Sequence, residues 1–158
     1  MVFAGGADPE RVAIVTPFLE AGLNVALYGG YWDRYPATRA HARGHADPQR
    51  LRKAIGGAHV SLCLVRRANR DGHSMRTFEV PAMGGCMVVE DTGEHREFFG
   101  APGEAVIYAA SVTDMVDAAC ALVKDPSRRD RLADRSHRLV AEGPFTYADR
   151  LRAMLEAA

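Results

Sequence analysis

The residues of this chain that are best suited to chemistry lie in one short stretch, residues 71–79. The stretch has a carboxylate at each end, Asp71 and Glu79, with His73 and Arg76 between them. A guanidinium group binds two phosphate oxygens at once through its forked N–H groups. A carboxylate accepts hydrogen bonds from sugar hydroxyl groups, and such charge-assisted bonds are stronger than those between neutral groups. The stretch therefore favours a ligand that carries both phosphate and hydroxyl groups.

The same stretch has the composition of a sharp turn that leads into a helix. Gly72 and Ser74 permit a tight turn, and a helix that begins near Thr77 would present free backbone N–H groups to an anion. Pro81 cannot donate a helical hydrogen bond, which predicts that it lies in the first turn of this helix. Glu79 would then lie near the positive end of the helix dipole. Whether Glu79 binds a ligand or only stabilises the helix start stays open at this point.

Short apolar runs alternate with amphipathic segments along the chain, a pattern that predicts an α/β fold, a Rossmann-like parallel sheet with helices on both faces. The predicted strands are residues 2–4, 24–28, 59–65, 86–90 and 105–108, with Val2, Val25, Leu62, Val88 and Ile107 buried in them. The predicted helices are residues 8–21, 47–55, 77–83, 94–99, 111–124, 126–141 and 146–156, and residues 31–46 are predicted to be a loop. Pro17 is expected to kink or shorten the first helix. Open α/β sheets bind ligands at the carboxyl ends of their strands, so residues 71–79 are expected at the binding edge.

Composition narrows the classes of protein that fit. The 158 residues are 47% hydrophobic and 25% charged, as is typical of a globular domain, and we expect residues 1–158 to form one domain. Zero net charge argues against nucleic acid as the main partner, although basic residues dominate positions 33–76 and favour an anionic small ligand. The three cysteines lack metal-ligand spacing and are expected to be buried free thiols, with no metal site. No segment has the features of a signal peptide or a membrane span, so a cytoplasmic location is expected.

A longer run of residues resembles a known family. Residues 76–85, with the sequence RTFEVPAMGG, are followed by Glu90, Thr92, Glu94 and His95. This pattern resembles the C-terminal domain of spore-maturation-like proteins, which belong to the group 1 glycosyltransferases of GT-B architecture. Weaker similarity extends over residues 2–6, residues 27–30 with Trp32, residues 125–138 and residues 146–151, so nearly the whole chain is covered. The resemblance implies transfer of a sugar from a nucleotide-diphosphate sugar, which is a substrate, with no cofactor and no catalytic metal.

The resemblance also implies roles for individual residues. Group 1 transferases carry two acidic residues, separated by seven others, beside the donor. Glu79 matches the second of these, which contacts the nucleotide ribose, whereas Asp71 is an aspartate where the family has glutamate. By the same comparison, Asp71, Gly72 and His73 are expected near the donor sugar. The residues expected at the diphosphate are Gly5, Gly6, Arg11, Ser74, Arg76 and Thr77.

Several alternatives remain open on the sequence. A GT-B enzyme has its active site between two domains, so this donor-binding half would need an N-terminal acceptor domain or a partner chain. The same fold would also suit a non-catalytic nucleotide-binding or interaction module. A sugar-nucleotide epimerase shares the architecture, but its typical catalytic histidine and acid pattern is missing. Tyr31 and Trp32 are interpreted either as packing residues or as contacts with a base or a partner domain, and His41 and His45 as surface histidines without a third metal ligand.

Overall fold

A computed structural model describes residues 1–66 and 72–156 of the chain. The described strands form one parallel sheet in the order β3-β2-β1-β4-β5-β6, which confirms the predicted fold class. Asp71 lies outside the described residues. The strands are β1 (Val2–Ala4), β2 (Ala26–Tyr28), β3 (Ala42–Gly44), β4 (Ser61–Cys63), β5 (Met87–Glu90) and β6 (Ile107–Ala109).

Most of the helices begin after a capping side chain, although α3 does not. The side chains of Asp8, Asp47, Thr92, Ser111 and Asp125 each accept a hydrogen bond from the backbone N–H three residues later. The helices are α1 (Pro9–Glu20), α2 (Pro48–Gly56), α3 (Arg76–Ala82), α4 (Gly93–Phe99), α5 (Val112–Lys124), α6 (Pro126–Glu142) and α7 (Tyr147–Glu156). Within the described residues, no helix has the length and apolar character needed to cross a membrane.

Two local predictions were wrong. Residues 31–46, predicted to be a loop, contain the edge strand β3 and two 3-10 turns, Trp32–Arg34 and Arg39–His41. Pro81 is the sixth residue of α3 rather than part of its first turn. Pro81 has no backbone N–H to donate, and α3 ends one residue later, at Ala82. Pro17 lies inside α1, which continues to Glu20.

Apart from the edge strand β3, the sheet is buried on both faces, and the apolar side chains of its strands alternate between two hydrophobic clusters. Val2 of β1 belongs to the cluster under α2, α3 and α4, whereas Phe3 belongs to the cluster under α1 and α5. This alternation is the two-residue period of a strand covered by helices on both sides. Of the residues predicted to be buried in strands, Val25 precedes β2 and Ile107 is only partly buried. Cys63 and Cys86 are buried free thiols as predicted, whereas Cys120 is only partly buried.

The sheet order reverses between β1 and β4, so their carboxyl ends lie side by side at the place where open α/β sheets bind ligands. Two glycine turns close this edge. Gly5 N donates to Tyr28 O over 2.8 Å, and Gly29 N donates to Gly44 O over 2.9 Å. Gly29 has φ +128°, and a Cβ atom on it would lie 2.3 Å from Gly5 O. The two turns therefore pack backbone against backbone.

This close approach predicts a graded effect of alanine substitutions. Gly22 has φ +76° with open space around it, so Gly22→Ala should cost only the left-handed conformation, about 1 kcal/mol, which lowers the Tm by roughly 2–4 °C. Gly29→Ala adds a collision with the backbone of Gly5 and should lower the Tm at least twice as far. Thermal unfolding of both variants checks this, and equal losses would show that the two turns can move apart.

Candidate functional site

Two adjoining cavities lie at this edge of the sheet, and together we call them the cleft. The first, of about 460 Å³, has an apolar wall that includes Pro48, Leu51 and Met83. Its polar lining consists of Arg11, Ser74, Arg76 and Glu79. The second, of about 400 Å³, is lined by the turns Gly5–Gly6 and Gly29–Gly30 together with Tyr28, Tyr31 and His45. Arg76 lines both cavities and therefore stands between them.

Arg76 joins the start of α3 to the end of β1. Its Nε donates to Ala4 O over 3.1 Å, and its Nη1 forms an ion pair with Oε2 of Glu79. Burial lowers the pKa of the Arg76 guanidinium from its usual value. Charges interact more strongly where water is partly excluded, so this cation is well placed to attract an anion that enters the cleft.

Glu79 lies in the first turn of α3 and lines the same cavity. Its Oε2 is buried and, apart from the ion pair with Arg76, has no hydrogen-bond partner among the described residues. A carboxylate can accept about four hydrogen bonds. The Glu79 carboxylate can therefore accept further hydrogen bonds beside the Arg76 guanidinium, as a ligand with hydroxyl groups would require.

The first glycine turn is held in place from two sides. Arg11 Nη1 donates to Gly6 O over 3.0 Å, and Trp32 Nε1 donates to Gly5 O over 2.7 Å. Trp32 is completely buried and meets Phe3 edge-on, so it is a packing residue and does not reach the cleft. Tyr31 differs: its side chain is 55% exposed at the rim of the second cavity, with the Arg34 guanidinium 4.2 Å from its ring centre.

Thr77 does not reach the cleft. Its side chain is completely buried, and its Oγ1 lies 3.2 Å from Ser74 N and 3.0 Å from His95 Nε2. The backbone N–H groups of residues 77–79 donate to the carbonyls of Ser74 and Met75, because Met75 already has helical backbone angles. The expectation that these amides are free for a phosphate is therefore wrong, and Thr77 belongs to the support of the turn.

The residues expected at the donor sugar lie apart from Arg76. His73 Nδ1 pairs with Glu94, and this hydrogen bond lowers the pKa of the Glu94 carboxyl. His73 also lines a third cavity, of about 320 Å³, with Phe78, Phe145 and Tyr147. This cavity shares Met75 and Glu79 with the first cavity, so it adjoins the cleft. Gly72 O accepts a hydrogen bond from Thr92 Oγ1 over 2.6 Å, which anchors the same loop.

Sequence reasoning missed three kinds of residue in this region. His45 and Ala46 reach the second cavity because they follow β3, the strand that was not predicted. The apolar wall formed by Pro48 and Leu51 carries no chemical signature in the sequence. His95, quoted only as part of a motif, is completely buried beneath the turn.

The fold and the cleft define a Rossmann-like α/β domain with a candidate ligand site at the reversal of strand order. Residues 11–156 match a protein family described as glycosyl transferase-like. This match covers most of the chain, and the protein belongs to that family. A comparison with curated protein sequences finds no match.

Solved structures with the same fold include GT-B glycosyltransferases. HepE from Anabaena, solved in complex with UDP, has a TM-score of 0.74 at 9% identity, over 99% of this chain and 48% of its own. Sucrose-phosphate synthase from Thermosynechococcus elongatus has a TM-score of 0.70 at 16% identity, over 99% and 46% of the two chains. The C-terminal CMP-Kdo-binding domain of WaaA from Acinetobacter baumannii has a TM-score of 0.58 at 14% identity, over 88% and 87%. The chain thus spans about half the length of the first two, and its fold corresponds to the C-terminal half of the GT-B architecture.

His95 makes the stability of the domain depend on pH. Burial lowers its pKa, although the hydrogen bond to the Glu90 carbonyl and the charges of Glu94 and Asp91 oppose this, and His73 adds to it. The unfolded chain, whose histidine has a pKa of about 6.5, then takes up a proton more readily than the folded protein. The stability that the neutral His95 provides is complete above that pH and is lost as the pH falls toward the lowered value.

We therefore expect the free energy of unfolding to fall more steeply below pH 6.5 in the wild type than in His95→Phe. The difference in slope should be at most about 1.4 kcal/mol per pH unit, the limit for one proton. Urea unfolding at pH 7.5, 6.5 and 5.5 measures it. His73, Glu94 and Asp91 are present in both proteins, so parallel pH profiles would contradict a neutral, buried His95.

Proposed function

We propose that this chain is the donor-binding domain of a glycosyltransferase and that the cleft binds a nucleotide-diphosphate sugar. The observation that carries the proposal is the Arg76–Glu79 pair, a cation and a carboxylate with unused acceptor capacity side by side in one cavity. Membership of the glycosyl transferase-like family supports it. Residues 76–85 further favour the spore-maturation-like group, and a cytoplasmic location remains part of the proposal.

The proposed ligand would lie along the cleft with its diphosphate at Arg76. Arg11, Ser74 and the turn Gly5–Gly6 line the cavities on either side of that guanidinium. Glu79 would accept hydrogen bonds from the ribose hydroxyl groups. The apolar wall at Pro48, Leu51 and Met83 offers a surface for the base, since small-ligand sites are mainly apolar with a few placed polar groups.

The donor sugar is proposed to lie toward Gly72 and His73, as the resemblance implies. His73 lines the third cavity, which meets the first at Met75 and Glu79. A sugar in this direction would leave the diphosphate near Arg76. Asp71, the acidic residue expected beside the sugar, precedes Gly72 directly.

The chemical role of the cleft would be electrostatic. When the bond between the sugar and the diphosphate breaks, negative charge grows on the departing phosphate oxygens. Arg76 and Arg11 would stabilise that charge, and groups that are already oriented lose little free energy in doing so. The proposal assigns no general base to this domain, because activation of the acceptor belongs to the other side of the active site.

That other side is proposed to be an N-terminal acceptor-binding domain or a partner chain. HepE and sucrose-phosphate synthase, which share the fold, are about twice as long as the region that this chain matches. Helix α7 carries the exposed apolar side chains Tyr147, Leu151, Met154 and Leu155. Large exposed apolar groups that lie together are typical of a surface that another protein covers.

The first test of this function replaces Glu79 with Gln. The substitution keeps the shape and removes the charge, so nucleotide affinity should fall by about 1.5–3 kcal/mol, roughly ten- to a hundredfold. The Tm should change little, because a partly exposed ion pair within one helix turn contributes about 0.3–0.5 kcal/mol. Isothermal titration with UDP, GDP and ADP, together with melting curves, measures both effects.

Asp91→Asn is the matched control, because it breaks an ion pair with Arg96 outside the cleft. It should leave nucleotide affinity unchanged. If Glu79→Gln lowers the Tm but binds nucleotide as the wild type does, Glu79 only stabilises α3.

The second test concerns activity. With no acceptor domain to close over the donor and exclude water, the isolated chain should bind a nucleoside diphosphate weakly and transfer no sugar. Release of UDP from UDP-glucose, and of GDP from GDP-mannose, measures this across a panel of sugar acceptors. Transfer by this chain alone would show that no second domain is needed. If a longer native form of the protein binds nucleotide but also transfers no sugar, the result would favour the alternative function, a non-catalytic nucleotide-binding module.

A further inference from the structure

We propose that His95 is a positioning residue, which acts through Thr77 to hold the turn that carries Ser74 and Arg76 into the cleft. The inference rests on the proposed function only for the identity of the ligand that the cleft binds. The arrangement itself consists of hydrogen bonds between described residues of three separate segments. It extends from the end of β5, through α4, to the start of α3.

The chemistry of the groups assigns the donor and the acceptor in each hydrogen bond of this series. Glu90 O lies 2.7 Å from His95 Nδ1, and a carbonyl can only accept, so Nδ1 carries the proton. His95 is completely buried, and burial lowers its pKa, so the ring is neutral at pH 7 and its Nε2 is an acceptor. The Thr77 hydroxyl, 3.0 Å away, must therefore donate to Nε2. Its oxygen is then free to accept the Ser74 N–H at 3.2 Å.

Cys63 supports the same turn from β4. Its Sγ lies 3.6 Å from Thr77 Oγ1 and 3.7 Å from Ser74 Oγ. Burial raises the pKa of the Cys63 thiol, so it is a neutral and weakly polar contact. The strong hydrogen bonds that order the turn are therefore those that begin at Glu90 and pass through His95.

The turn that this series of hydrogen bonds holds in place carries side chains that line the cleft. Ser74 and Arg76 both line the first cavity, whereas Thr77, directly after Arg76, faces the protein interior. A displacement of Thr77 would therefore move the Arg76 backbone and disturb its hydrogen bond to Ala4 O. Nucleotide affinity should thus depend on His95, which does not itself line either cavity of the cleft.

Packing alone does not explain a histidine at the buried position 95. A phenylalanine would fill a completely buried site without desolvating two ring nitrogens, and desolvated polar groups cost free energy unless they are hydrogen-bonded. His95 is useful there only if both nitrogens are used, and both are.

The test compares four variants. Thr77→Val keeps the shape of the side chain and removes the hydroxyl, whereas Thr77→Ser keeps the hydroxyl. His95→Phe keeps a ring and removes both nitrogens. Tyr108→Phe is the control, because it removes a hydroxyl that donates to the carbonyls of His95 and Gly100 but takes no part in the chain. The readouts are UDP, GDP and ADP affinity by titration calorimetry and hydrogen exchange of the Ser74 amide by NMR.

We expect Thr77→Val and His95→Phe each to weaken nucleotide binding about tenfold and to speed Ser74 exchange. The double variant should lose no more than either single variant, because both break the same chain. Thr77→Ser, which keeps the hydroxyl, should match the wild type in nucleotide affinity and in Ser74 exchange. Tyr108→Phe should lower only the Tm. In the wild type, ¹⁵N resonances of the imidazole should report the Nδ1-protonated form of His95.

Unchanged Ser74 exchange in Thr77→Val, or unchanged affinity where the wild type binds nucleotide, would overturn the proposal. The two proposals fail in different ways. If the wild type binds none of the three nucleotides, the proposed function fails, and Ser74 exchange alone then decides whether His95 holds the turn.

Discussion

The candidate site depends on one contact, the hydrogen bond from Arg76 Nε to Ala4 O. It joins residues 72 positions apart in the chain, the start of α3 and the end of β1. The strand order brings these two elements together at the reversal between β1 and β4, and this hydrogen bond ties them there. Because Arg76 lines both cavities, this bond makes two neighbouring depressions into one cleft with a cation at its centre. The turn Gly5–Gly6 on one side, and the turn at Ser74 that Thr77 holds on the other, keep the donor and the acceptor of this hydrogen bond in place.

The pairing of Arg76 with Glu79 also limits which ligands fit. Both side chains are partly buried, so a ligand that draws one of them away leaves the other without its partner, at a cost in free energy. Inorganic phosphate could bind Arg76 but would give nothing to Glu79, and a nucleoside could bind Glu79 but would give nothing to Arg76. A ligand with a diphosphate next to a ribose offers a partner to each. Under the proposed function, the pair would therefore favour nucleotides over either of their parts, without any contact to the base.

Local sequence signals predicted the elements that local interactions determine. The apolar run before residue 66, the glycines on either side of α3 and the capping aspartates each act within a few residues, and the corresponding strands and helices are present. Strand β3 was missed because Ala42–Gly44 is short, largely exposed and stabilised by pairing with β2 at the edge of the sheet. Thr77 was misassigned for a similar reason. Its partner His95 lies 18 residues further on, and nothing near Thr77 in the sequence reveals that its hydroxyl is already used.

The two turns beside Arg76 are both held by contacts that a ligand does not need to make. Trp32 and Arg11 bind the carbonyls of Gly5 and Gly6, and Thr77 binds the amide of Ser74. A site whose backbone is ordered before binding loses little conformational entropy when the ligand arrives. Under the proposed function, binding would then need to rearrange little more than the Arg76 and Glu79 side chains, and the exposed apolar residues of α7 would remain available to the proposed second domain.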